Sequence, residues 1–198
     1  MKKILLLSAV ALLLAGCGSK GPKEITPEQY GEKVENLVAV EYKTATAVCV
    51  YKETNSADFK ETSKFTFDST EKVWLEDGET ESGSNCLEYL GFTAKAAYDK
   101  YLDEYKNYKI LIPVRTRYSA ESYKFYDDLS IVIKYSYDYD YNGGGHEHGE
   151  YSVSWNFNSD GVLIKYERSL TLKYTGFEDE TENGTYFDYE SFTFTYAK

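Results

Sequence analysis

The chain has only two histidines, His146 and His148, and Glu147 lies between them. Imidazole nitrogens and a carboxylate are suitable ligands for zinc or another divalent cation. On an extended chain both imidazoles point to one face and Glu147 to the other. A stable site would therefore need a further carboxylate from a flanking strand: Asp138, Asp140 or Glu150. The triplet is a candidate metal site. Alternatively, it is a solvated hairpin loop, since residues 142–145 read Asn-Gly-Gly-Gly.

A second group of oxygen donors, Asp138-Tyr139-Asp140, lies just before this loop. Hard cations such as calcium take several oxygen ligands, and the neighbouring tyrosines would also suit a sugar. The run lacks the ligand spacing of an EF-hand loop. Alternatively, the two aspartates occupy the outward positions of a strand, where charges protect against aggregation.

The sequence lacks the constellations that are typical of enzymes. It contains no Gly-x-Ser-x-Gly elbow, no glycine-rich phosphate loop and no Cys-x-x-Cys motif. Because both histidines lie in one loop, a Ser-His-Asp arrangement is disfavoured. We therefore expect no catalytic residues, no enzymatic activity and no cofactor.

Aromatic residues supply the remaining candidate site. The chain has 21 Tyr and 10 Phe, and such side chains favour half-buried strand surface. Five aromatic residues form stripes at alternating positions of two predicted strands: Tyr135, Tyr137, Tyr139, Tyr151 and Trp155. They could line a groove for an acyl chain or a glycan. Alternatively, they form the core of the sheet.

A long β meander positions these residues. Apolar and polar residues alternate with a period of two over residues 129–141 and 151–157, which predicts strands with one buried face. The Asn-Ser-Asp-Gly turn at 158–161 leads into strand residues 162–174, and residues 185–196 form the last strand.

Two helices and four more strands complete the predicted body. Thr26, Pro27 and Gln29 form a capping box with proline at the first helical position. The helix that follows should run to about Val40 and bury one apolar stripe: Tyr30, Val34, Leu37 and Val38. Thr93 caps the second helix. The additional strands are predicted at 44–52, 62–67, 71–76 and 109–118, which gives about eight strands in all.

The N-terminal segment has the three parts of a secretory signal. Two lysines precede the apolar run 4–14, and small residues come before Cys17. This run is too short to span a bilayer, which takes about 20 apolar residues. Leu14-Ala15-Gly16-Cys17 resembles the lipobox of bacterial lipoproteins. The resemblance implies cleavage after Gly16 and a lipid on the Cys17 sulfur.

The lipobox divides the chain into three segments. Residues 1–16 are the signal peptide, 17–26 a polar tether, and 27–198 a single β-rich domain. Cys17 would link the protein to the cell membrane or the outer membrane on its extracytoplasmic side. Two or more acyl chains give stable anchoring, so no transmembrane helix is needed.

The negative net charge of the chain limits the kinds of partner that it can bind. The formal net charge is −11, and the signal peptide contributes two lysines and no acidic residue. A protein that binds nucleic acid needs a basic face, so we expect no nucleic-acid partner. Anionic headgroups would repel the body, so the covalent anchor must hold it at the membrane. We expect a monomer.

The other two cysteines, Cys49 and Cys86, form a possible disulfide. Outside the cytoplasm, paired thiols are usually oxidised. The sequence does not give the distance between them that a bridge requires. Alternatively, both are buried, unreactive thiols.

The order of elements resembles the open half-barrel of LolA/LppX-type lipoprotein carriers. The resemblance covers residues 27–196 and rests on a capped leading helix, an inserted helix and a long meander. It implies an α+β fold, mainly antiparallel β, with a strongly bent open sheet. A closed lipocalin-like barrel is the main alternative architecture. The half-barrel implies a binding module for a lipid-like, apolar ligand. A surface adhesion or scaffold protein and a metal-binding lipoprotein are the other candidate functions.

Overall fold

In the part of the chain that the structure describes, one antiparallel sheet of nine strands forms most of the domain. The computed structural model describes residues 21–76, 85–111 and 117–198. The strands are β1 Glu24–Ile25, β2 Thr44–Glu53, β3 Phe59–Asp68, β4 Val73–Glu76, β5 Arg117–Tyr126, β6 Ile131–Asp140, β7 His146–Phe157, β8 Leu163–Thr175 and β9 Gly184–Ala197. The helices are α1 Pro27–Glu35 and α2 Ala94–Leu111, with 3₁₀ turns at Asn85–Tyr89 and Glu180–Glu182.

The sheet is open, because its first and last strands do not pair with each other. Its order is β1-β5-β6-β7-β8-β9-β2-β3-β4, and every neighbouring pair is antiparallel. The predicted α+β class and the open half-barrel are confirmed. The prediction of about eight strands missed β1, which pairs with β5 and uses two residues of the predicted tether.

Helix α1 begins as its capping box predicts. Thr26 Oγ1 accepts from the backbone N–H of Gln29 at 3.2 Å, and the Gln29 side chain accepts from the Thr26 N–H at 3.0 Å. Tyr30 and Val34 are buried against the sheet, and the Tyr30 hydroxyl donates to the Leu129 carbonyl at 2.9 Å. Helix α1 therefore packs over one end of the sheet.

The end of α1 differs from the prediction. The helix stops at Glu35, and Asn36 caps it with a side-chain hydrogen bond to the Glu32 carbonyl. Because the chain leaves the helix there, Leu37 is only half-buried and Val38 is 80% exposed. The expected burial of Val38 is therefore wrong.

The strand predicted at 109–118 is also wrong over its first part. Helix α2 continues to Leu111, and β5 begins at Arg117 and extends to Tyr126. A short apolar run such as Lys109-Ile110-Leu111 fits a helix end and a strand equally well. Neighbouring structure decides between them.

The helices cover one face of the sheet at one end. The core there joins Tyr30 and Val34 of α1 to Phe125, Phe192 and Cys49 of three strands. The same face continues towards the opposite strand ends with side chains that lie outside this buried cluster: Tyr137, Tyr139, Leu170, Leu172 and Tyr174. Along the strands, this face of the sheet thus changes from a buried core under the helices to a partly exposed surface.

Candidate functional site

A cavity of about 250 Å³ lies between α2, the first 3₁₀ turn and the sheet. Its wall is built mainly of aromatic and aliphatic residues, and polar atoms, among them those of Lys100, also face it; the lining includes Tyr89, Phe92, Tyr101, Tyr123, Ile133, Val153 and Tyr166. Strand register explains this composition, because alternate residues of β6, β7 and β8 meet on one face. Apolar pockets with few polar groups are the usual form of small-molecule sites.

The predicted aromatic stripe divides between the cavity and the rim. Tyr135, Tyr151 and Trp155 line the cavity and also pack on the core. Tyr135 and Tyr151 face each other across β6 and β7, with ring centroids 4.7 Å apart. Tyr137 and Tyr139 lie further along β6 and are not part of the cavity wall. Tyr135, Tyr151 and Trp155 thus contribute both to the core and to the cavity wall, and their role in holding a ligand stays a prediction.

A charged cluster that the sequence analysis missed lies beside the cavity on the same face. Arg168 Nη2 donates to Asp188 Oδ2 at 2.7 Å, and Arg168 Nε lies 3.2 Å from Glu190 Oε2. Glu190 is 8% exposed, and burial raises the pKa of its carboxyl. The sequence contains a signal for this cluster, because Arg168 occupies a position that the alternation Tyr166, Arg168, Leu170 would otherwise give to an apolar residue.

Glu147 is a buried carboxylate held by two tyrosines. Tyr137 donates to its Oε1 at 2.6 Å and Tyr141 to its Oε2 at 2.5 Å. The hydrogen bond from Tyr141 raises the pKa of that phenol to about 12. Gly149 makes room for this arrangement, since a Cβ there would overlap the Tyr137 ring. Glu147 therefore does not join the two histidines.

The two histidines lie on the opposite face of the sheet with carboxylates beside them. His146 Nδ1 is 2.8 Å from Asp140 Oδ1, and Asp138 Oδ1 lies 3.2 Å from His146 Nε2 and 2.8 Å from His148 Nδ1. Glu150 is more distant, 3.8 Å from His148 Nε2. The carboxylates that the sequence required are thus present. Even so, no group of three or more ligands in the described part of the chain is arranged to hold a metal ion.

We expect His146 to titrate above the ordinary histidine pKa of about 6.5. The hydrogen bond to Asp140 is the main cause of the raised pKa, and Asp138 adds to it. The His146–Asp140 pair therefore contributes its full stabilisation at pH values below the pKa that His146 has in the unfolded chain. This contribution is lost as the pH rises through the higher pKa that His146 has in the folded protein. NMR titration of the imidazole should show a lower His146 pKa in Asp140→Asn. An unchanged pKa in that variant would contradict the pairing.

Cys49 and Cys86 are both fully buried, and the structure holds them as free thiols. A hydrogen bond between the two thiols, together with burial, raises the pKa of Cys49. The sequence gives these residues as a possible disulfide or as two buried thiols, and the fold brings them into contact between β2 and the first 3₁₀ turn.

The predicted lipid-bearing Cys17 and the rest of the lipobox lie outside the described residues. Within those residues, no helix combines the length and the apolar character needed to cross a membrane.

Comparisons with known proteins add little to this geometry. No family model matches the chain, and no curated protein matches it. A search of solved structures finds a likeness to the crystal structure of a LolA superfamily protein from Nitrosomonas europaea. The two chains are 7% identical, the match covers 88% of this chain and 94% of the other, and the TM-score is 0.24. So weak a likeness establishes neither a family nor a function, and the kinship with LolA/LppX-type carriers stays a prediction.

Proposed function

We propose that this protein is a non-catalytic, lipid-anchored lipoprotein of the cell envelope that binds an apolar, lipid-like ligand. The observation that carries the proposal is the aromatic-lined cavity of about 250 Å³ between α2 and the sheet. A well-formed apolar cavity with a few polar groups is a default site for a small ligand.

The size of the cavity limits the ligand. An engineered apolar cavity of about 150 Å³ holds one benzene molecule. The present volume of about 250 Å³ therefore suits one short acyl chain or one ring system, and not a whole phospholipid. The half-open rim at Tyr135 and Tyr151 would let a longer chain extend over the exposed part of the face.

Native mass spectrometry of the processed protein, purified from its own host, tests for this ligand. We expect a non-covalent adduct in addition to the mass of the anchor. Ala97 is buried on α2 and lines the cavity, so Ala97→Leu should fill the space and remove the adduct. Ala96→Leu is the matched control, because Ala96 belongs to the same helix but not to the cavity wall. If both variants keep the adduct, the ligand is bound elsewhere.

The anchor is tested by Cys17→Ser. We expect this variant to accumulate as an uncut, unlipidated precursor that leaves the detergent phase in Triton X-114 partitioning, because the acyl chains supply about 0.8 kcal/mol per buried CH₂. Metabolic labelling with a fatty acid should give no signal in the variant. Normal cleavage after Gly16 together with unchanged partitioning would show that the lipobox interpretation is wrong.

A further inference from the structure

Among the residues that the structure describes, Lys100 is the only charged residue in the wall of the cavity. It belongs to the face of α2 that covers the cavity, three residues after Ala97 and next to Tyr101, which also line it. Lys100 is nevertheless exposed. A lysine in such a position lays its aliphatic stem along apolar surface and keeps its ammonium group in water. The apolar cavity therefore has a cation at the place where it meets solvent.

This cation and the acidic residues of the charged cluster lie at opposite sides of the cavity. Helix α2 lies over β5, since the Tyr101 ring is 4.8 Å from the Tyr123 ring. Asp188 and Glu190 belong to β9, the fourth strand beyond β5 in the sheet. Neighbouring strands are about 4.7–4.9 Å apart, so about 19 Å of sheet separates the two sides. The Debye length is only about 8 Å at physiological ionic strength. An anion beside Lys100 would therefore feel its ammonium group far more than these two carboxylates.

On the basis of the proposed function, we propose that the ligand is a single-chain fatty acid whose ionised carboxylate pairs with the Lys100 ammonium group. The acyl chain would occupy the aromatic cavity and point away from α2, towards Tyr166 on β8. A lysine ammonium group has three N–H donors, so it can bind a ligand carboxylate and keep a contact within the protein. A positively charged head group would be repelled at this position.

The ion pair with Lys100 would select the head group, and the apolar wall would supply most of the affinity. Exposed ion pairs contribute little and weaken with salt, whereas burial of an acyl chain adds a contribution with each CH₂ group. Two acidic residues lie near Lys100 along α2. Asp99 is held by Lys95 at 2.8 Å, and Asp103 is exposed, where water screens its charge. The preference for an anion should therefore be small, measurable and dependent on Lys100.

Titration of the purified full-length protein with three eight-carbon probes tests this proposal: octanoate, octan-1-ol and octylammonium at pH 7.5. The probes share one chain and differ in head-group charge. Isothermal titration calorimetry gives each affinity, after subtraction of the binding that remains in Ala97→Leu, which fills the cavity. We expect octanoate to bind about 2- to 5-fold more tightly than octan-1-ol, as one exposed ion pair allows, and octylammonium to bind least tightly. In 1 M NaCl, where the Debye length is about 3 Å, the advantage of octanoate should largely disappear.

Three variants assign the preference to its residue. Lys100→Met keeps an unbranched stem in the cavity wall and removes the charge, so it should bind octanoate no more tightly than octan-1-ol. Lys100→Glu should reverse the order and favour octylammonium. Lys95→Met is the matched control, because Lys95 belongs to the same helix but not to the cavity wall, and it should keep the wild-type preference.

Two results would overturn the role of Lys100 and leave the apolar site standing. One is a wild-type protein that binds octan-1-ol or octylammonium at least as tightly as octanoate. The other is an equal loss of the octanoate preference in Lys100→Met and Lys95→Met. Absence of cavity binding by all three probes would instead overturn the proposed function. Because Lys100 is exposed, its replacement should leave the fold intact, and the wild-type series decides the question without it.

Discussion

Replacing Val34 with aspartate is expected to unfold the domain or to lower its free energy of unfolding by at least about 4 kcal/mol. Val34 is 2% exposed and belongs to the same core cluster as Phe125 of β5. A carboxylate there would lose its water and gain no partner, because the buried surroundings are apolar. Urea unfolding followed by circular dichroism measures the change.

Val38→Asp is the matched control, with the same substitution four residues further along the chain. Because Val38 is 80% exposed, the new carboxylate stays in water, and we expect the free energy of unfolding to change by no more than about 0.5 kcal/mol. Equal effects of the two substitutions would mean that α1 does not pack on the sheet as the structure shows.

The start of α1 and the meander were predictable because local chemistry decides them. A capping box satisfies two orphan N–H groups within one turn of helix, so Thr26 and Gln29 fix the helix start without help from distant residues. The alternation along β6 and β7 likewise places residues on faces independently of the rest of the fold. The same rule places Glu147 on the opposite face of the strand from the two histidines.

The elements that were mispredicted depend on distant residues. Glu24 and Ile25 are a strand only because Tyr126 and Phe125 offer them an edge. Val38 completes a helical stripe in the sequence, but the helix has already ended at Glu35. A short apolar run such as the one at 109–111 carries no periodicity that separates helix from strand.

The candidate site was predictable in its residue types and not in its boundaries. Alternation predicted that the tyrosines of β6 share a face. Which of them line the cavity depends on where α2 crosses the sheet, so Tyr135 belongs to the wall and Tyr137 does not. The contact between Asp138 and the two imidazoles depends on strand register, which pairs Asp138 with His148.

Cys49 and Cys86 are expected to form a disulfide in the mature protein, with a contribution to stability of about 3–4 kcal/mol in the chain-entropy model. The fold already places the two thiols in hydrogen-bonding contact. Oxidation removes two protons and two electrons from them, and a disulfide oxidant of the extracytoplasmic compartment would accept the electrons. Thiol titration of the denatured, unreduced protein should find neither cysteine free, and two free thiols would refute the bridge.

Unfolding measurements of the alanine variants give an independent test. If the bridge exists, Cys49→Ala and Cys86→Ala each remove the whole constraint, so the double variant should be little less stable than either single variant. If both residues are thiols, the losses should be small and closer to additive.

Cys49 and Cys86 should oxidise faster during refolding, while their thiols are accessible, than in the folded protein. The hydrogen bond that the Cys49 thiol donates to Cys86 and the burial of Cys49 raise the pKa of Cys49 in the folded protein. The thiolate is the reactive form, so we expect the reduced, folded protein to oxidise slowly and the unfolded chain to oxidise during refolding. Mass spectrometry of alkylated samples, taken while glutathione disulfide reacts with native and with refolding protein, compares the two rates. Equal rates would mean that the pair is accessible in the folded state, contrary to its burial.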